Sequence, residues 1–170
     1  RAGPGGEALA ARGAAGLGQA VARPRRPRAL AATPRTPRRG RGVGPGDPEL
    51  RVWGKHGLYG TRGARTDPRL RSQRGEPVVP KHTFDAFFGT NLDDLLKERN
   101  ADTLVLTGLC TDICVQHTAA DAFFHGYRIL VPRDATAALT LQDHQRALKY
   151  MARTYGARIT DVPSLLRQLS

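Results

Sequence analysis

Acidic and aromatic side chains are almost absent from the opening stretch of this chain. Residues 1–46 carry ten Arg, no Lys and one acid, Glu7, and all ten aromatic residues of the 170-residue sequence come after residue 51. Eleven Ala, ten Gly, ten Arg and six Pro fill 37 of those 46 positions. Pro and Gly at that density break helices and strands, and no aromatic residue is present to gather a core. Residues 1–46 are therefore expected to be a disordered Arg/Pro/Gly/Ala-rich leader, and no strand is expected ahead of Val52. Glu7 to Ala22 is the one helical candidate, and Gly13, Gly16 and Gly18 argue against it. These four residue types also have the codons richest in G and C. A GC-rich gene read out of frame would yield the same text, in which case the leader is not genuine protein.

Other scarcities narrow the function. No apolar run approaches the roughly 18 residues of a membrane-spanning helix, so no membrane role is expected. Two Cys, both within an apolar C-terminal region, make no disulfide framework, and a reduced cytoplasmic setting is expected. The five His are scattered, without the i,i+4 pair of a helical metal site, and Cys110 and Cys114 lack knuckle spacing. Neither a metal nor a cofactor is expected. The net charge of +12 belongs mostly to the leader, since residues 47–170 hold seventeen basic and fourteen acidic side chains. A basic arm without interleaved aromatics is a poor nucleic-acid binder, so that partner class is not expected.

After Asp47 the text becomes that of a folded domain, expected to run over 47–170. Val78-Val79 is a short strand stopped by Pro80, and Asn91 caps a helix through about Arg99. Thr103–Thr107 is a strand, Asp112–His125 a buried helix ending at Gly126, and Tyr127–Val131 a strand stopped by Pro132. Thr140, with Asp143 three residues on, opens a helix from Leu141 to about Tyr155 before Gly156. Ala157–Thr160 is a last strand, and Asp161 with Pro163 opens a terminal helix through Leu169. Strands and helices in alternation predict an α/β, three-layer sandwich with a mainly parallel sheet.

The chemistry gathers at two strand ends. In parallel α/β domains sites collect at the carboxyl ends of strands. One such end delivers Cys114 to the first turn of a helix, where backbone N–H groups favour a thiolate and can hold an oxyanion. Lys81 follows the Val78–Pro80 strand at another end, and a lysine near the thiol would bias it further toward thiolate. Read without further help, Cys114 is equally a small buried hydrophobe, Cys110 a packing residue and Lys81 a solvated charge. Phe84, Phe87 and Phe88 line either a pocket or a core.

Three blocks of text then match a known pattern. They are Trp53-Gly-Lys-His-Gly-Leu-Tyr-Gly-Thr-Arg-Gly-Ala64, Pro80-Lys-His-Thr-Phe-Asp-Ala-Phe-Phe-Gly-Thr90, and Leu104-Val-Leu-Thr-Gly-Leu-Cys-Thr-Asp-Ile-Cys-Val-Gln-His-Thr-Ala-Ala-Asp-Ala-Phe-Phe-His-Gly-Tyr127. With Arg133-Asp-Ala they make the chain, from about Asp47 to Val162, resemble the isochorismatase-like cysteine hydrolases, the superfamily of nicotinamidases and N-carbamoylsarcosine amidases. The resemblance implies that Cys114 is the nucleophile and Lys81 the active-site lysine. It implies a cis peptide at Leu109–Cys110 and an oxyanion hole from the N–H groups of Cys110 and Cys114. His56 would correspond to a metal ligand of nicotinamidases, here a remnant. Phe84, Phe87, Tyr59 and Trp53 would line the substrate pocket, and Asp85 stands where many relatives have Ser.

One departure follows. Relatives begin with an apolar strand ending in the Asp that serves as general base, whereas the only acids ahead of Val52 here are Glu7, Asp47 and Glu49. The resemblance thus covers a domain with a missing or altered N-terminal third. Its sheet is expected to lack a central strand. The implied function is hydrolysis of a small amide-like C–N bond through a Cys114 acyl-enzyme, in a homo-oligomer acting on a small-molecule substrate. The alternative is a non-catalytic or truncated member acting as a structural or interaction module.

Overall fold

A computed structural model describes residues 19–22, 28–33, 48–54, 61, 62, 65, 72 and 74–169 of the chain. The calls on His56 and Tyr59 fall outside these residues. The elements run β1 (Gln19–Ala22), β2 (Arg28–Thr33), α1 (Pro48–Trp53), β3 (Val78–Pro80), α2 (Leu92–Glu98), β4 (Thr103–Leu109), a wide turn (Thr111–Val115), α3 (Gln116–Phe124), β5 (Arg128–Pro132), β6 (Thr136–Ala137), α4 (Leu141–Tyr155), β7 (Arg158–Thr160) and α5 (Val162–Leu169).

The strand order is β3-β2-β1-β4-β5-β7, with β6 beside the end of β4. The pairs β2–β3, β4–β5, β4–β6 and β5–β7 are parallel, while β1 runs antiparallel to both β2 and β4. The mainly parallel α/β sandwich expected from the alternation of elements is what forms. Two reversals across β1 restore direction, so β3 and β4 point the same way and their carboxyl ends lie at one edge of the sheet.

The expectation of no strand ahead of Val52, and of a sheet without its central strand, is overturned by β1 and β2. The prolines there punctuate rather than interrupt: Pro24 and Pro27 fall between the two strands and Pro34 follows the second, leaving Gln-Ala-Val-Ala and Arg-Ala-Leu-Ala-Ala-Thr free to pair.

β4 shows why a parallel strand reads as a continuous apolar run. Thr103, Leu104, Val105 and Leu106 are all buried because helices cover both faces. Leu104 and Leu106 join Val115 of the wide turn, Ala119 and Ala122 of α3, Ile129 and Val131 of β5, and Leu148 and Met151 of α4 in one core. Among the described residues no helix is long and apolar enough to cross a membrane.

Helix ends follow local chemistry. Gly156 closes α4 at φ 62°, a left-handed cap that strains any residue with a Cβ. The Thr140 hydroxyl accepts from the Asp143 N–H at 3.1 Å and donates to its carboxylate. Replacing Thr140 with Ala is expected to cost about 1 kcal/mol, read as a lower urea midpoint at unchanged slope. At α2 the expected cap, Asn91, makes no side-chain cap bond. Thr90 takes that place, its hydroxyl accepting from Leu92 N at 3.1 Å while donating to the Ala86 carbonyl at 2.6 Å.

Candidate active site

β4 leads through Gly108, at φ 108°, into a cis peptide between Leu109 and Cys110, the bond that the sequence resemblance implies. Cys110 keeps an extended conformation (φ −90°, ψ 147°) and its carbonyl accepts from Ile113 N at 3.2 Å and Val115 N at 3.1 Å. The second bond spans five residues, so Thr111–Val115 is a π-type turn rather than the first turn of an α-helix, which begins only at Gln116. A continuous helix over 112–125 is corrected accordingly. Cys114 sits within this turn, half-buried, and both cysteines are free thiols.

The two thiols have different surroundings. Burial pushes the Cys110 thiol up to about 11, with the neighbouring Cys114 and Asp112 adding to the rise. Cys110 is therefore a protonated, inert thiol near neutral pH.

The turn is fastened from the far side by α4. The Thr111 side chain, fully buried, meets His144 Nδ1 at 2.8 Å. Burial lowers the His144 pKa against the raising effects of the Arg133 carbonyl and Asp112, so the ring is a neutral hydrogen-bonding partner. Beyond β5, the Asp134 carboxylate accepts from Val162 N at 2.9 and 3.1 Å and ties that strand's end to α5.

Lys81 follows β3 directly and is only 4% exposed. Its ammonium donates to the carbonyls of Thr83 at 3.0 Å and Phe84 at 2.9 Å, which offsets the cost of taking the charge out of water. These bonds curl residues 81–84 into a compact loop. Thr83 in turn reaches Glu49 of α1, Oγ1 to Oε2 at 3.4 Å.

Three contacts dock this lysine loop onto the helix that follows Cys114. Ala86 N donates to Thr118 Oγ1 at 3.1 Å, both residues being buried. The Phe84 ring lies 5.6 Å from His117, centroid to centroid, and the Phe87 ring stacks on His125 at 5.1 Å. The structure thus brings the Lys81 loop and the Cys114 helix together at the same edge of the sheet. Sequence reading did not find Thr118 or His144 as the fasteners. A small polar residue in an apolar helix face, as at Thr118, was the available signal.

Of the expected pocket residues, Phe84 is half-buried beside His117, one turn beyond Cys114. Phe87 is buried in the core, its ring near both His125 and Tyr127. Trp53 ends α1 with half of its surface exposed (51%). Its helix is six residues long and buries none of them. Among the described residues no cluster of three or more His, Cys, Asp or Glu is arranged to hold a metal ion.

Comparison with known proteins agrees with this geometry. The Isochorismatase domain matches residues 31–164. The chain belongs to the isochorismatase family. The match of this isochorismatase-family chain begins within the stretch read as leader, and it includes the second half of β2. The chain is 38% identical over 121 residues to an uncharacterized isochorismatase family protein, PncA of Bacillus subtilis, covering 67% of this chain and 66% of that one. It is 38% identical over 101 residues to a ureidoacrylate amidohydrolase, RutB of Serratia proteamaculans, covering 59% and 41%. Among solved structures it is similar to N-carbamoylsarcosine amidase from Thermoplasma acidophilum, with 43% identity, a TM-score of 0.64, and 69% of this chain and 66% of that one covered. The chain spans 41% to 66% of the length of the first curated relatives it matches.

Proposed function

We propose that the protein is a cysteine hydrolase of small amide-like C–N bonds, working through an acyl-enzyme on Cys114. The observation that carries this reading is the docking of a buried lysine loop onto the helix that begins two residues after Cys114. In the proposed reaction the Cys114 sulfur adds to the substrate carbonyl, and the N–H groups of Cys110 and Cys114 hold the oxyanion. As the C–N bond breaks, the proton given up by the Cys114 thiol reaches the leaving amine through solvent, and water then cleaves the thioester to free acid and thiol. Lys81 favours the thiolate by its charge. Relatives named for ureidoacrylate and N-carbamoylsarcosine support a carbamoyl- or ureido-type amide as the substrate class. The catalytic residues are proposed to fall within 47–170, in a domain whose sheet also takes in β1 and β2 from the stretch read as leader, and self-association into a homo-oligomer is proposed with it. A monomeric mass by light scattering would overturn that last element.

A panel of carbamoyl, ureido and carboxamide substrates, read as ammonia or amine release, tests the activity. A thiol experiment tests the nucleophile separately. At pH 7, iodoacetamide is expected to modify Cys114 at least about tenfold faster than Cys110, whose thiol is held protonated. Equal or reversed rates by peptide mass mapping would remove Cys114 as the reactive thiol.

A second reading, a non-catalytic member serving as an interaction module, is favoured by one observation. β1 pairs directly with β4, yet it carries no acid, and the sequence has none between Glu7 and Asp47. Silence across the substrate panel together with an unreactive Cys114 would favour it.

A further inference from the structure

The turn that carries both cysteines is gripped by one short stretch of chain beyond β5. At the near end of that stretch β6 runs beside β4, with Thr136 opposite Gly108 and Ala137 opposite Leu109, the two residues ahead of Cys110. At its far end His144, in the first turn of α4, places Nδ1 2.8 Å from Oγ1 of Thr111, the residue after Cys110. Only Ala138, Leu139 and Thr140 separate β6 from α4. We propose that residues 136–144 act as a clasp on the cysteine turn, and that His144 is a positioning residue which, through the Thr111 hydroxyl, holds the turn in the shape that chemistry at Cys114 requires.

The clasp has a firm base. His144 N donates to the Thr140 carbonyl at 3.1 Å, and the Thr140 hydroxyl caps α4 through Asp143 N. Leu148 and Met151 of α4 share one core with Val115, the last residue of the turn. Close packing there fixes α4 against the turn, so the His144 ring offers a settled point of attachment. Thr111 has no exposed surface, and a hydroxyl taken out of water needs a hydrogen-bond partner. The other buried hydroxyl of the clasp, Thr136 Oγ1, has no such partner among the described residues. β6 therefore grips by backbone pairing and packing, while His144 supplies a side-chain tie to the turn.

The effect on the site follows from where the tie falls. Thr111 lies between Cys110 and Cys114, whose N–H groups hold the oxyanion in the reaction proposed above. Ile113 N and Val115 N close the turn on the Cys110 carbonyl, so a turn released at Thr111 moves both donors together. Donors that wander stabilise developing charge less while still admitting substrate, so release lowers kcat more than it changes KM. For turnover the consequence rests on the hydrolase reading, but the clasp itself does not.

Two substitutions in the full-length chain test it. His144→Leu keeps the bulk and removes the hydrogen bond, whereas His144→Asn sets an amide oxygen or nitrogen near the place of Nδ1. Amide exchange at Ile113 and Val115 is expected to quicken at least about fivefold in H144L and to stay within about twofold of wild type in H144N, the scale of one buried hydrogen bond. With the best amide substrate, kcat is expected to fall at least about tenfold in H144L at a KM within about threefold, and H144N should restore it. Thr111→Val keeps the β-branched shape, reads the same bond from its other end, and decides the matter if H144L does not fold. The double variant should be no worse than the more impaired single one, because both remove one interaction. Unchanged exchange in a folded H144L or T111V protein, equal losses in H144L and H144N, or fully additive losses would each overturn the clasp. Quickened exchange with unaltered kcat overturns the positioning role. Absence of turnover in every protein, wild type included, counts against the hydrolase reading alone, since exchange still decides the clasp.

Discussion

Cys114→Ser is expected to lower turnover of the best amide substrate by at least about 10³-fold while leaving the melting midpoint nearly unchanged. A serine hydroxyl placed in the same turn is a far weaker nucleophile at neutral pH, because it offers almost no anion where a cysteine offers thiolate. The turn itself should persist. Its closing bonds, Ile113 N and Val115 N to the Cys110 carbonyl, are backbone bonds, and its anchor is Thr111 on His144. Single-turnover assays and thermal melts on the same preparation separate the two effects. Retained turnover would remove Cys114 from the chemistry, and a collapsed melt would show a structural thiol instead.

Leu106→Ala is expected to destabilise the fold by about 2–5 kcal/mol, the usual range for truncating a fully buried leucine. Leu106 has no exposed surface and lies in β4, which is hydrogen-bonded to β1 on one side and β5 on the other. The cavity would open beneath the turn that carries both cysteines, so the loss should be visible at the site as faster modification of Cys110. Against a typical total of 5–15 kcal/mol the substitution removes a large share of the margin. Phe124→Ala is the control: its ring is 73% exposed, and the expected change is within about 0.5 kcal/mol. Urea denaturation of both variants at a common pH checks the pair. Equal midpoints would mean that β4 is not central to stability.

Much of the C-terminal half was legible in the amino-acid sequence because its signals are local. α4 runs over Leu141–Tyr155 as its Thr-x-x-Asp start and Gly156 end predict, and β4 follows its β-branched, apolar text. The segment with both cysteines lies at the end of β4 as expected, yet its wide turn was not foreseen, since one extra residue in a turn leaves little trace in apolar spacing. β1 and β2 pair with each other, but their other partners, β4 and β3, lie far along the chain, and nothing in Gln-Ala-Val-Ala announces that pairing. Phe87 shows the same limit. Three phenylalanines in five residues read equally as pocket or core, and only His125 and Tyr127 settle which.

The sheet's described margins have a bearing on how the protein behaves in a crowded solution. Its outermost strands are β3 on one side and β7 on the other, each three residues long. A long bare margin offers a row of N–H and C=O groups on which a stranger's chain can grow a further strand. β3 ends in Pro80, which has no N–H to give, and β7 starts at Arg158, an exposed charge. Neither side offers enough uninterrupted backbone to template growth, so the fold guards against edge-to-edge fibre formation by keeping both margins short.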